Sequence, residues 1–326
     1  MKSILLSLLF ATAVLSLPTE PLSGQPKSKP PATSADGEVT QNAGPRNIED
    51  LQQKAQSGDV LAENNLGFAY AFGRGIEQNY QQAAHWFTKA ANAGFAPAQV
   101  NLGALYEQGW AESHDMTQAI HWYSAAAEQG DPIAECKLGN IYHAGRGVPR
   151  DDAEAATWYR KAAEHGNAVA QNNLGSFYHH GVGLPRDYEQ ALLWYRKAAA
   201  QGLAQAENNL GVMYEDGLGV EKDYRQAATF YAEAANQGVA RGQYNLATLY
   251  YSGRGVPLDY VSAYLWYSRA ASAGDATAAR VLKQLSSVMT PRQKELAQAR
   301  LAESQAASLA EDQAHSPFDP ARSNLK

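Results

Sequence analysis

The chain has 326 residues, with 27 Lys and Arg against 33 Asp and Glu and a formal net charge of −6, a balance that excludes a nucleic-acid binder working through a basic face. Its one cysteine, Cys136, excludes an internal disulfide framework and a structural zinc site built on four cysteines or on two cysteines and two histidines. At 45% hydrophobic and 18% charged residues most of the chain can bury a core, and its length suits about two domains or one extended array.

The N-terminus reads Met1-Lys2-Ser3 and then an apolar run from Ile4 to Leu17. One positive charge ahead of a short apolar stretch is the pattern of a secretory signal. Ala11-Thr12-Ala13 offers a small-residue cleavage site, and a cut after Ser16 is the alternative. The run is shorter than the ~20 residues a spanning helix needs, and no later stretch is apolar for about 18 residues. Residues 1–17 are therefore expected to be a signal peptide, and the chain to be exported, periplasmic or secreted, with no integral span left after cleavage. An uncleaved anchor is the competing expectation. Residues 18–46 carry Pro18, Pro21, Pro26, Pro30, Pro31 and Pro45 among Ser, Thr, Gly, Ala and Gln. That composition buries too little apolar surface to offset ordering entropy, so a disordered linker is expected.

A repeat array follows, expected over residues 47–288. Glycines stand at 58, 94, 130, 166, 202, 238 and 274, every step 36 residues. Tyr70, Tyr106, Tyr142, Tyr178, Tyr214 and Tyr250 keep that step, as do Leu66, Leu102, Leu138, Leu174, Leu210 and Leu246. No insertion interrupts six units over about residues 59–274. Each unit reads as two helices. In the fourth, Ala170, Leu174 and Tyr178 form one stripe of a helix. Gly181 and Pro185 end it. Asp187 caps a second helix carrying Ala191, Trp194, Tyr195 and Ala198. One such unit cannot bury its apolar face alone, but stacked neighbours can. The expected fold is all-α, a right-handed α-solenoid of helix-turn-helix repeats.

The pattern Ala-x-x-x-Leu-Gly-x-x-Tyr, Gly-x-Gly-Val, Asp-Tyr-x-x-Ala and Trp-Tyr-x-x-Ala-Ala-x-x-Gly resembles Sel1-like repeats, relatives of the tetratricopeptide repeat, over about two-thirds of the chain. Departures are few. Trp110-Ala111 stands in a Gly-x-Gly loop, Phe230 replaces Trp and Ala247 replaces Gly; the first should alter its loop. After Gly274, Ala276 to Leu285 reads as one more first-type helix. Thr290-Pro291 then opens a capping helix expected over 289–310, and residues 311–326 read as a disordered tail.

Chemistry is sparse. The Gly-x-Gly loops lack the third glycine and the preceding strand of a dinucleotide site, so they read as helix-to-helix turns. Some relatives of this repeat type are described as β-lactamases. Here the one Ser-x-x-Lys, Ser323-Asn324-Leu325-Lys326, ends the tail with nothing to hold it. No catalytic set is therefore expected, and no cofactor. Taking Leu174 as zero on a helical wheel, Asn172, Ser176 and His179 fall about 140–200° away, with His180 at the margin. By resemblance to related solenoids this face lines the concave surface. Cys136, His143, His179 and His180 share it on adjacent repeats and form a mixed nitrogen and sulfur set for zinc or copper; a ligand-free wall is the simpler reading. Asn65, Asn101, Asn173, Asn209 and Asn245 ladder at the repeat period, with Lys137 in the third slot, and an inter-repeat hydrogen bond is the favoured reading. The preceding position varies (Asn64, Val100, Cys136, Asn172, Asn208, Tyr244), as a recognition surface would.

The resulting expectation is a non-catalytic scaffold or adaptor that binds an extended peptide or partner protein, and no nucleic acid. The expected contacts are Asn64, Phe68, Phe72, Asn172, Ser176, His179, His180, Asn208, Glu215, Asp216, Tyr244 and Tyr251. Glu107, Glu215 and Asp216 favour a partner with positive charge. A hydrolase of the β-lactamase or cell-wall type and a metal-binding scaffold are the alternatives.

Overall fold

A computed structural model describes residues 45–110 and 113–314. The stretch expected as signal, nearly all of the linker and the last residues of the tail lie outside the described residues. Fifteen helices follow in order, and no strand occurs among the described residues. The first, α1, is Pro45–Gln56. Six pairs come next: α2 Val60–Phe72 with α3 Tyr80–Asn92, α4 Ala96–Gln108 with α5 Met116–Ala127, α6 Pro132–Ala144 with α7 Asp152–Glu164, α8 Ala168–His180 with α9 Tyr188–Ala199, α10 Ala204–Asp216 with α11 Tyr224–Asn236, and α12 Ala240–Ser252 with α13 Tyr260–Ser272. Helices α14 (Ala276–Val288) and α15 (Pro291–Ala314) close the array. The first helix opens with Pro45, inside the stretch expected as linker, because proline suits a first helical turn. The last helix passes Ala310, since Ala, Glu and Gln sustain helix well.

The pairs are cut by repeated local chemistry. Asp59, Asn79, Asp115, Asp131, Asp151, Asn167, Asp187, Asp223, Asp259 and Asp275 cap helix N-termini through their side chains, each satisfying a backbone N–H the helix leaves unpaired. The first helix of every pair ends at a glycine with φ between 65° and 74°. The loop beyond is clamped the same way six times. The backbone N–H of Asn79, Asp115, Asp151, Asp187, Asp223 and Asp259 donates to the carbonyl of Tyr70, Tyr106, Tyr142, Tyr178, Tyr214 and Tyr250. The period thus lives in backbone hydrogen bonds as well as in packing.

Each second helix buries one ring, Phe87, then Tyr123, Tyr159, Tyr195, Tyr231 and Tyr267, and the leucine of the following pair packs in the same cluster: Leu102 with Phe87, Leu138 with Tyr123, Leu174 with Tyr159, Leu210 with Tyr195 and Leu246 with Tyr231. The glycine after the leucine makes room for the ring of its own pair; a Cβ on Gly103 would stand 2.9 Å from Tyr123 Cδ1. In the sixth unit Ala247 takes this place, still fully buried. The second loop glycine joins one unit to the previous one. A Cβ on Gly183 would overlap the Asp152 carbonyl, and one on Gly255 the Tyr224 carbonyl. Trp110 is buried and stacks on Tyr80, with ring centroids 5.3 Å apart. Its neighbour Ala111 lies outside the described residues. At the far end Thr290 and Gln293 form a reciprocal cap. Ala297 of α15 is buried with Val281, Leu285 and Met289.

Candidate functional site

The first helices of the pairs turn their leucine and tyrosine inward and present the opposite face at four slots: two before the leucine, then two, five and six after it. The residues in these slots vary from unit to unit, most of all two and six after the leucine, whereas the leucine and the tyrosine four residues after it never change. The expected partner contacts occupy this face. The structure shows what fixes each.

The slot two before the leucine is tied to the next repeat. Asn101 Nδ2 donates to Asn64 Oδ1 at 3.1 Å, Asn209 Nδ2 to Asn172 Oδ1 at 2.9 Å and Asn245 Nδ2 to Asn208 Oδ1 at 3.0 Å. The asparagine ladder therefore bridges neighbouring repeats, and its acceptors are three of the residues expected to meet a partner. Asn64 and Asn208 are buried. Where the acceptor is missing the donor changes. Opposite Val100 stands Lys137, which reaches Glu107 Oε2 at 3.1 Å instead. Opposite Cys136, Asn173 acts on the Tyr159 hydroxyl.

The buried tyrosine hydroxyls dictate the next two slots. Tyr123 donates to Glu107 Oε2 and Tyr231 to Glu215 Oε2, each at 2.7 Å; Tyr159 donates to Asn140 Oδ1 at 2.7 Å. Ser176 acts on the Tyr195 hydroxyl and Tyr267 meets Thr248 Oγ1 at 2.9 Å. The slots compensate. Where the residue two after the leucine is apolar (Ala104, Val212), the residue five after it is Glu. Where it is polar (Asn140, Ser176, Thr248), that residue is His143, His179 or Tyr251. The first unit has Phe87, without a hydroxyl, and both slots are apolar: Phe68 and Ala71. A buried hydroxyl left unpaired costs about 1–3 kcal/mol, which explains the exchange. The sequence held this signal in the covariation between repeats, and position-by-position reading missed it.

Electrostatics follow from these contacts. Burial alone would raise the Glu107 carboxyl, but Lys137, the Tyr123 hydroxyl and Arg146 outweigh it and hold it below the ordinary range. Arg146 lies 3.0 Å away. Its charge is thus met by the chain's own cations and adds little acidity to the face. Glu215 is pushed up, by burial first and by Asp216 as well, against the pull of Tyr231, Arg254 and Lys222. His179 falls to about 4 because of burial, then His180 and Arg186. Asp216 is exposed beside Glu215.

The remaining expected residues are aromatic or imidazole. Phe68 and Phe72 stack at 4.5 Å under Arg74 and line a small apolar hollow with Phe87, Asn101, Ala104 and Leu105. Tyr244 lies edge-on to Tyr267 and Tyr251 tilts against Tyr260. His179 and His180 stack at 4.3 Å, and His180 Nδ1 lies 2.9 Å from the Ser176 carbonyl.

The mixed metal set does not assemble. Among the described residues no group of three or more His, Cys, Asp or Glu is placed to hold a metal ion. His143 pairs with Asp152 at 2.6 Å and packs on Phe177. Cys136 is buried among Ala155, Ala156 and Tyr159, where burial pushes its thiol up to about 12. Each candidate ligand is held by a partner within its own repeat or the next, so the four do not converge.

Comparison with known proteins matches this geometry. The Sel1 repeat matches residues 60–95, 96–131, 132–167, 168–203, 204–239 and 240–275. The chain belongs to the Sel1 repeat family. A protective antigen of uropathogenic Escherichia coli, solved with an SLR fold, is 39% identical with a TM-score of 0.70; the match covers 79% of this chain and 56% of that one. A Sel1 repeat protein from Oxalobacter formigenes is 34% identical with a TM-score of 0.62, covering 70% of this chain and all of that one. A sel1-like repeat-containing protein of Acanthamoeba polyphaga mimivirus is 44% identical over 46 residues, 14% of this chain and 9% of that protein. The chain thus spans less than two-thirds of the antigen and a small part of the viral protein. The Sel1 solenoid is a fold typical of protein–protein interaction scaffolds, and no helix among the described residues is long and apolar enough to cross a membrane.

Proposed function

We propose that this Sel1 protein is a non-catalytic adaptor of an exported compartment, holding an extended peptide or a partner protein along the first-helix face, the concave side of the array. One observation carries the reading: six repeats keep their core and loop chemistry while the four slots of this face vary. A solenoid offers such a face as a long binding surface. Phe68 and Phe72 supply apolar contact at one end, Ser176, His179 and His180 polar contact in the middle, and Glu215, Asp216, Tyr244 and Tyr251 a mixed acidic and aromatic contact at the other. Asn64, Asn172 and Asn208 serve the face from behind by fixing the spacing of its helices. His143 is engaged by Asp152, and burial pushes the Cys136 thiol up to about 12, which makes it a poor nucleophile.

The test is affinity capture from the exported fraction with the unaltered chain and with a Phe72→Ala, His180→Ala, Asp216→Ala variant. The ladder asparagines stay in place so that the stack is not disturbed. A partner retained by the first and lost by the second establishes face binding. Equal capture by both overturns it. Export is checked on the same material by mass spectrometry, which should find a mature N-terminus after Ala13 or Ser16.

A further inference from the structure

We propose that Glu215 receives a primary ammonium group, a lysine side chain of the bound partner, between α10 and α12, in the place that Lys137 fills between α4 and α6. The proposal rests on the first-helix face being the binding face, and it names the chemistry that one part of that face selects.

The argument is a comparison of two sites within one chain. Glu107 and Glu215 occupy the same slot three repeats apart. Each accepts a 2.7 Å hydrogen bond from the buried tyrosine of its own unit, Tyr123 or Tyr231. Each sits above an apolar residue, Ala104 or Val212. Each has an arginine from the next loop, Arg146 or Arg254, acting on it. They differ in what the next first helix places opposite the carboxylate. Glu107 also takes Lys137 Nζ at 3.1 Å, whereas the position corresponding to Lys137 is Asn245, whose amide is turned away to Asn208 at 3.0 Å. The cause lies one slot back. Val100 offers no acceptor to the next repeat, so Lys137 is released toward Glu107; Asn208 offers one, so Asn245 is held.

The groups acting on Glu215 are Tyr231 and Asp216 from its own unit, Lys222 from the following loop and Arg254 from the next repeat. Lys137 of the next repeat stands 3.1 Å from Glu107, whereas the repeat after Glu215, residues 240–275, holds no lysine; Lys222 acts on Glu215 from the loop of its own unit, and Asp216 is an added acidic neighbour. Glu215 is partly exposed and Asp216 exposed, which leaves the carboxylate open to a cation arriving from the face. A lysine brings a point charge on a slender stem, and at Glu107 that is the group the fold itself places there.

The experiment reads Glu215 directly, by carbon NMR of the full chain labelled at the glutamate carboxyl, with Glu215→Gln to assign the resonance. The probe is Nα-acetyl-lysine methylamide, with the norleucine analogue as its uncharged control. The lysine probe should move the Glu215 resonance and lower its titration midpoint, and the norleucine probe should do neither. Asn245→Lys should lower the midpoint by about one pH unit without probe and weaken the probe response about tenfold. Because that change also removes the bond to Asn208, the paired variant Asn208→Val, Asn245→Lys is made beside it; it reproduces the Val100 and Lys137 arrangement and should give the same shift. A Glu215 midpoint unmoved in the paired variant, or unmoved by the lysine probe, overturns the proposal. With partner capture intact, such a result leaves the adaptor reading standing; a responsive Glu215 without face-dependent capture has the reverse meaning.

Discussion

Gln243 is where one residue of the repeat lacks its partner. The slot three before the leucine holds Glu63, Gln99, Glu135, Gln171, Glu207 and Gln243, all buried. Gln99 donates to the Ala91 carbonyl and accepts from Gln129; Gln171 donates to Ala163 and accepts from Gln201. Gln243 makes the first bond, to Ala235, but its Oε1 has none, because Ala273 stands where the second to fifth units carry Gln129, His165, Gln201 and Gln237. Ala273→Gln should therefore stabilise the chain by about 0.5–1.5 kcal/mol, read as a higher urea midpoint; an unchanged midpoint would count against this account. His179 gives a residue-scale effect of opposite sign. Its ring is held neutral to about pH 4 in the fold, against about 6.5 in an unfolded chain. Between those values the unfolded state binds the extra proton, so stability falls as pH drops from about 6.5 toward 4. His179→Gln should flatten the stability profile in that window, measured by denaturation at several pH values, and an unaltered slope would show that the ring is not the cause. The candidate site was legible only in part at this scale. Helical angle placed Ser176 and His179 on the variable face, but that Asn208 would be buried there as a hydrogen-bond acceptor depended on its partner 37 residues away.

Helix boundaries were the most legible feature at the scale of the element, because they depend on neighbours in sequence. Asp187 before α9 and Gly181 after α8 work through groups a few residues away. The two kinds of glycine were not distinguishable that way, since both answer to packing across the structure. Gly175 in α8 faces the Tyr195 ring, and a Cβ there would stand 2.8 Å from a ring edge. The sixth unit accommodates a Cβ at this place, where Ala247 is fully buried, and alanine gains about 1 kcal/mol of helix propensity. Gly183 has φ +67° and abuts the backbone of the previous repeat at Asp152. Backbone cannot retreat without moving α7, and an L side chain is strained at that φ. Gly183→Ala should cost about 2 kcal/mol or more, while Gly175→Ala should lie within about 1 kcal/mol of the parent. Equal losses in calorimetry would mean that the loop glycine does not join the repeats.

The whole molecule was legible as an array because a strict 36-residue period leaves little freedom: each unit must repeat the same contacts with the same neighbour. The ends break that symmetry, and there the sequence was less explicit. The final unit has no following pair to cover α14, so Val281, Leu285 and Met289 are closed over by α15 through Ala297. In a linear array, stability is close to a sum of unit and interface terms, and a lost cap is felt first by its neighbour. A chain ending at Val288 should therefore open from that end. Amide exchange should quicken through α14 and α13, where Tyr267 and Ala263 share the same cluster, and remain near the parent rate in α4 to α7. Uniform acceleration along all six repeats would instead show that the array unfolds as one cooperative body, with α15 stabilising every interface and not just the last.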